Sequence, residues 1–157
     1  MRNQLVAYFS ASGVTRQVSE TLAEVVDADL YEIRPEQQYT RLDLDWRNPQ
    51  SRSSIEMKDV TSRPKMVDCE LALDHYKVIY LGFPIWWYEA PRIIHTFLEK
   101  GDFHDKKIIL FATSGGSDFG ETLNKLKEIC PQANFVEGKV FHTYSKDEVL
   151  QWALNQK

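Results

Sequence analysis

Three hydroxyls and a glycine separate an apolar run from an amphipathic one: Ser10, Ser12, Gly13 and Thr15, within Tyr8-Phe9-Ser10-Ala11-Ser12-Gly13-Val14-Thr15. Leu5, Val6, Ala7, Tyr8 and Phe9 read as a fully buried strand, and Val14, Val18, Leu22, Val25 and Val26 fall on one face of a helix. The turn between them suits an anion. Unpaired N–H groups at a helix start and the positive end of its dipole attract negative charge, and Ser10, Ser12 and Thr15 can donate further hydrogen bonds. No lysine sits in the loop, which sets it apart from a P-loop, and the G-x-G-x-x-G dinucleotide fingerprint is absent. The reading is of a phosphate held without any cation. An ordinary strand-to-helix turn rich in N-capping residues would look the same in isolation.

Two later loops point to the same place. The apolar runs Val78-Ile79-Tyr80-Leu81 and Ile108-Ile109-Leu110-Phe111-Ala112 read as buried strands, each introduced by lysine. The first leads into Gly82-Phe83-Pro84-Ile85-Trp86-Trp87-Tyr88-Glu89-Ala90-Pro91, the second into Thr113-Ser114-Gly115-Gly116-Ser117-Asp118-Phe119-Gly120. In an open parallel sheet, ligands bind outside the carboxyl ends of the strands, so the three loops are placed to share one site. Trp86 or Trp87 can lie against a flat ring, while Gly115 and Gly116, lacking side chains, let backbone N–H groups approach its edge. Adjacent tryptophans could instead cap a core or form an interface.

The elements that must position these loops alternate strand and helix. Leu30–Ile33 reads as a short second strand stopped by Pro35, completing a β-α-β unit. From about Pro35 to Asp68 the rhythm breaks; Tyr39, Leu42, Leu44, Trp46 and Met57 are apolar anchors for a packed excursion across the surface. Pro91 suits the start and Gly101 the end of a helix carrying Ile93, Ile94, Phe97 and Leu98 inward. Asp118 with Glu121, and Ser145 with Glu148, are spaced as capping boxes for two further helices. Between them, Asn134 to Phe141 must hold a fifth strand, bent near Gly138. The expected architecture is a three-layer α/β sandwich over residues 1–157, one domain.

Composition excludes other classes. At 157 residues and 43% hydrophobic content the chain suits one well-buried domain. A net charge of -4 gives no basic footprint for nucleic acid. No apolar run approaches the ~20 residues that cross a bilayer, and no signal-peptide core opens the chain, so a cytoplasmic protein without membrane insertion is expected. Cys69 and Cys130 form no metal-ligand spacing with His75, His95, His104 or His142 and read as incidental thiols; no metal site is expected. No residue stands out as an acid–base catalyst, and His95 and His104 are assigned to structure or solvent.

The three loops together resemble the flavodoxin family, nearest a bacterial branch with a long segment after the second strand and a Pro-x-Trp-Trp loop. Ser10-x-Ser12-Gly13-x-Thr15 matches the phosphate-loop pattern, Pro84-Ile85-Trp86-Trp87 stands where the aromatic flavin loop does, and Thr113-Ser114-Gly115-Gly116-Ser117 stands in place of the second flavin loop. The resemblance implies a five-stranded parallel sheet of order 2-1-3-4-5 and bound FMN. The implied FMN contacts are Ser10, Ser12, Gly13, Val14 and Thr15 at the phosphate, and Pro84, Ile85, Trp86, Trp87, Thr113, Ser114, Gly115, Gly116 and Ser117 at the ring. FMN would carry the redox chemistry, with no catalytic side chain. The implied role is an electron carrier between a reductase and redox acceptors. An FMN-dependent NAD(P)H:quinone-type oxidoreductase working on small acceptors is the alternative, and a non-redox binding module on the same scaffold is a third. Glu89, Asp118, Glu121 and Arg92 read as a solvated rim. Residues 85–89 contain no glycine, so a peptide flip to positive φ, used by many family members to stabilise one-electron-reduced flavin, is expected to be penalised here. Exposure of Trp87 or Tyr88 would favour self-association; the oligomeric state is left open.

Overall fold

A computed structural model of the chain describes residues 2–67 and 72–156. Cys69 lies outside the described residues. The elements run β1 (Gln4–Tyr8), α1 (Val14–Val26), β2 (Asp29–Glu32), α2 (Arg52–Lys58), β3 (Val78–Pro84), α3 (Arg92–Lys100), β4 (Lys107–Thr113), α4 (Thr122–Ile129), β5 (Asn134–Phe141) and α5 (Lys146–Leu154). All paired strands are parallel, in the order β2-β1-β3-β4-β5. This is the sheet order that the flavodoxin resemblance implies, with helices on both faces.

The central strands are buried on both sides, which is why their sequences are unbroken apolar runs. Their residues alternate between two cores. Leu5, Ala7, Ile79, Leu81, Phe83, Ile108 and Leu110 share a core with Ile93, Ile94, Phe97 and Leu98 of α3 and Leu126 of α4. Val6, Tyr80, Ile109 and Phe111 share the opposite core with Val18, Leu22 and Val26 of α1 and Val149 and Ala153 of α5. Burying such side chains contributes roughly 1.5–3 kcal/mol each.

The fifth strand bends as expected. Leu110 faces Glu137 and Phe111 faces Lys139, so the register skips Gly138. A Cβ there would stand 2.2 Å from the Leu110 carbonyl oxygen, leaving glycine as the residue that fits.

Several local expectations need correction. α4 starts at Thr122, and Asp118 caps no helix: its carboxylate accepts from Gly120 N–H at 3.0 Å, closing a turn ahead of the helix. Gly101 does end α3, with an extended backbone at φ -99. Ser145 does cap α5, accepting from Glu148 N–H at 3.4 Å. The excursion after β2 contains the short helix α2, which has no sustained apolar stripe in the sequence. Of its expected anchors Met57 is buried, whereas Leu42 is 80% and Trp46 65% exposed. Cys130 is a buried free thiol, and burial raises its pKa.

Candidate functional site

β1, β3 and β4 end at one edge of the sheet, and their loops meet there. Phe9 N–H donates to Gly82 O, Ile85 N–H to Thr113 O, and the buried hydroxyls of Thr15 and Thr113 are bonded at 2.7 Å. That last bond joins the first loop to the third. A hydroxyl pair uses one proton, so one of the two keeps its O–H for another acceptor.

The first loop is built as an anion cradle. Gly13 caps α1 at φ 101, and the Ser10 hydroxyl accepts from Gly13 N–H at 3.1 Å and Arg16 N–H at 3.3 Å. Ser10 thus keeps its own proton to donate. Among the described residues, the N–H groups of Ala11, Ser12, Val14 and Thr15 have no acceptor within the chain. Ser10, Ser12 and Gly13 line a cavity of about 250 Å³ with Phe9, Gln38 and Tyr39. Two guanidinium groups, Arg16 and Arg34, also line it, correcting the expectation of a site without any cation. Arg16 is paired with Glu32 at 2.6 Å, whereas Arg34 has no side-chain partner among the described residues.

The second loop is a tight hairpin. Trp86 and Glu89 exchange backbone hydrogen bonds of 2.9 and 3.1 Å, and Trp87 and Tyr88 between them have φ 51 and 62. This is the geometry of a type I′ turn, which normally selects Asn-Gly. The expectation that non-glycine residues avoid positive φ here is therefore wrong for the resting loop. Its neighbours hold the strain: Tyr88 O accepts from Glu121 N–H at 3.1 Å, and a Cβ on Gly120 would meet Tyr88 Cβ at 2.5 Å. A flip of the Trp87–Tyr88 peptide would give the type II′ form, whose first central residue takes a conformation confined to glycine, so the penalty falls on Trp87.

A second cavity of about 430 Å³ lies between this hairpin and the third loop. Ile85, Trp86, Trp87 and Tyr88 line one side, Ser114, Gly116 and Ser117 the other, and Trp46 of the excursion completes it. Trp86 packs edge-on against Phe9 and Tyr39 with ring centroids 5.9 and 5.4 Å away, and those two rings line the phosphate cavity. Trp86 is thus the partition between the two cavities, while Trp87 is 44% exposed. In the third loop, Ser114 Oγ accepts from Ser117 N–H at 2.9 Å and Gly116 N–H at 3.3 Å; Gly115 N–H has no acceptor among the described residues. Val14, Thr15, Pro84, Thr113 and Gly115 line neither cavity.

The excursion is fastened to the site by polar contacts of Tyr39 and Arg92 that residue type alone did not reveal. Tyr39 donates its phenol to Glu56, and the Arg52 guanidinium lies 3.8 Å from its ring centroid. Burial and the bond to Glu56 push that phenol far above its ordinary pKa, so it remains a donor. Arg92, expected at a solvated rim, is 1% exposed. It donates to Met57 O at 2.7 Å and to Glu56 O and Asp59 O at 3.3 Å, closing the carboxyl end of α2, and pairs with Glu89 of the hairpin at 3.1 Å. Asp118 and Glu121 are solvated, as expected. His104 is exposed; His95 is buried with neither ring nitrogen bonded among the described residues.

Known proteins share this arrangement. The chain is similar to a candidate flavoprotein from Bacteroides uniformis, at 46% identity and a TM-score of 0.92 over 99% of this chain and 98% of that one. It shares its fold with a Lactobacillus acidophilus flavoprotein solved in complex with FMN, at 20% identity and a TM-score of 0.75 over 98% of this chain and 99% of that one. Among curated proteins it is 26% identical over 117 residues to rat (Rattus norvegicus) NAD(P)H dehydrogenase [quinone] 1, a match spanning 60% of this chain and 43% of that protein. The family described as flavodoxin matches residues 3–156, and with the sheet order and the loop cluster at one sheet edge this places the chain in the flavodoxin family.

Proposed function

We propose that the chain binds FMN across both cavities and carries electrons from a reductase to redox acceptors. The observation that carries this reading is the adjacency of two unlike cavities, one polar, lined by unpaired N–H groups, hydroxyls, Arg34 and the Arg16–Glu32 pair, the other aromatic and lined by no Asp, Glu, Lys or Arg. Free N–H groups at a helix start and the Ser10 hydroxyl fit a phosphate dianion. An uncharged cavity with indoles on one wall and small residues on the other fits a flat ring, whose stacking contributes roughly 0.5–1.5 kcal/mol beyond area burial. FMN joins these two chemistries in one molecule, and when bound supplies the electron-accepting ring. The chain's part is to orient that ring: the Ser10 and Ser12 hydroxyls and the free N–H groups of Ala11 and Ser12 would hold the phosphate, Trp86 fixes the bend between cavities, and Trp87 is free to cover a ring face.

A second reading, direct reduction of a quinone by NAD(P)H through FMN, is favoured by one feature. Trp46 and Trp87 leave the ring cavity open and aromatic on its outer side, and the similarity to a quinone-reducing dehydrogenase agrees with that use. Mixing the FMN-loaded protein with NADPH alone in a stopped-flow spectrometer separates the two. A carrier bleaches slowly without its reductase; rapid bleaching with turnover on a quinone assigns the enzyme.

A further inference from the structure

Trp46 is an exposed indole on a segment too well tied down to be a casual surface residue. Its turn is closed by reciprocal bonds between Thr40 and Asp43, by Leu44 N–H to Thr40 O and by Asp45 N–H to Leu42 O. Asp43 O in turn accepts from Ser53 N–H at 3.0 Å in the first turn of α2, and α2 is held at its other end by buried Arg92. A chain of hydrogen bonds therefore runs from Arg92 of α3 through α2 to the turn that precedes Trp46. At the end of that chain the indole is 65% exposed and lines the ring cavity. The Arg47 guanidinium sits 5.2 Å from its ring centroid.

We propose that Trp46 forms the acceptor side of the ring cavity and holds a neutral planar acceptor of the quinone class beside the bound cofactor; this rests on the FMN reading above. The cavity chemistry selects that class. The cavity is lined by aromatic, aliphatic, serine and glycine residues, and indoles from two separate segments favour a flat apolar ring. In the step so assigned, the quinone gains two electrons and two protons. With FMN bound, one proton would arrive with the electron pair as hydride from the reduced ring and the other from water; hydroquinone would leave, and the oxidised ring would take electrons again from its reductase or from a nicotinamide donor.

The test uses FMN-loaded protein reduced with dithionite and mixed with 1,4-benzoquinone or ferricyanide, for the parent, Trp46→Ala and Trp46→Phe. Loss of one stacking wall should raise the half-saturating quinone concentration by about tenfold in Trp46→Ala. Trp46→Phe should recover most of it, the ferricyanide rate should fall less than the quinone rate, and FMN affinity should change by less than about twofold. Unchanged quinone saturation in Trp46→Ala overturns the proposal. So does a parallel tenfold loss of FMN affinity, which would make Trp46 a wall for the cofactor itself. A parent protein that takes up no FMN overturns the cofactor reading as well, and shows itself before any quinone is added.

Discussion

Arg34 and His95 show what single side chains contribute to this molecule. Arg34 lines the phosphate cavity beside the Arg16–Glu32 pair and has no ion pair of its own among the described residues, so its charge is available to a bound dianion. Being exposed, it is screened, and an exposed pair contributes about 1 kcal/mol at most. Arg34→Gln should weaken FMN binding by about fivefold and flatten its salt dependence, with riboflavin affinity unchanged; parallel fluorescence titrations check this. His95 acts through burial. Its pKa is pushed down to about 4, first by desolvation and then by the charges of Arg92 and Arg63. The unfolded chain therefore takes up a proton between the ordinary histidine value of about 6.5 and pH 4 that the folded chain refuses. Stability from this group is full above pH 6.5 and is lost as pH falls toward 4, by an amount on the order of 3 kcal/mol. Urea midpoints between pH 7 and 4 should fall less steeply for His95→Leu than for the parent.

At the scale of elements, the hairpin Trp86–Glu89 and the turn before α4 form one unit. The hairpin carries two left-handed non-glycine residues, a conformation costing roughly 1–2 kcal/mol per residue, and Gly120 is where the neighbouring turn leaves room for it. A methyl at Gly120 meets Tyr88 Cβ at 2.5 Å and Tyr88 O at 2.9 Å, and the position itself has φ +55. Gly120→Ala should destabilise the protein by about 2 kcal/mol from overpacking and backbone strain together. Because the displaced hairpin carries Trp87, the same variant should bind FMN more weakly than its stability loss alone explains. Thermal denaturation with and without FMN measures both effects.

Over the whole molecule, what was legible in the sequence follows from burial. Strands β1, β3 and β4 are covered on both faces, so they stand out as apolar runs, and the hydroxyl, tryptophan and glycine loops at their ends mark the site edge. The excursion was legible as a packed detour, but its helix α2 was not, because α2 is held by Arg92 reaching across from α3, and nothing local distinguishes that arginine from a surface one. Trp46 read as a packing anchor by residue type alone, whereas the fold leaves it exposed over a cavity. The paired positive φ values were hidden because tertiary bonds to Tyr88 O override the local preference for Asn-Gly. Arg34 escaped notice since only the fold carries the end of β2 to the first loop. Among the described residues no helix is long and apolar enough to cross a membrane. The central claim is that the two cavities together hold FMN, and titration of the flavin-free protein with FMN, followed by fluorescence, tests it most directly. The account predicts quenching that saturates at equal amounts of FMN and protein, with a perturbed visible spectrum. Unquenched fluorescence and a free-flavin spectrum would contradict it.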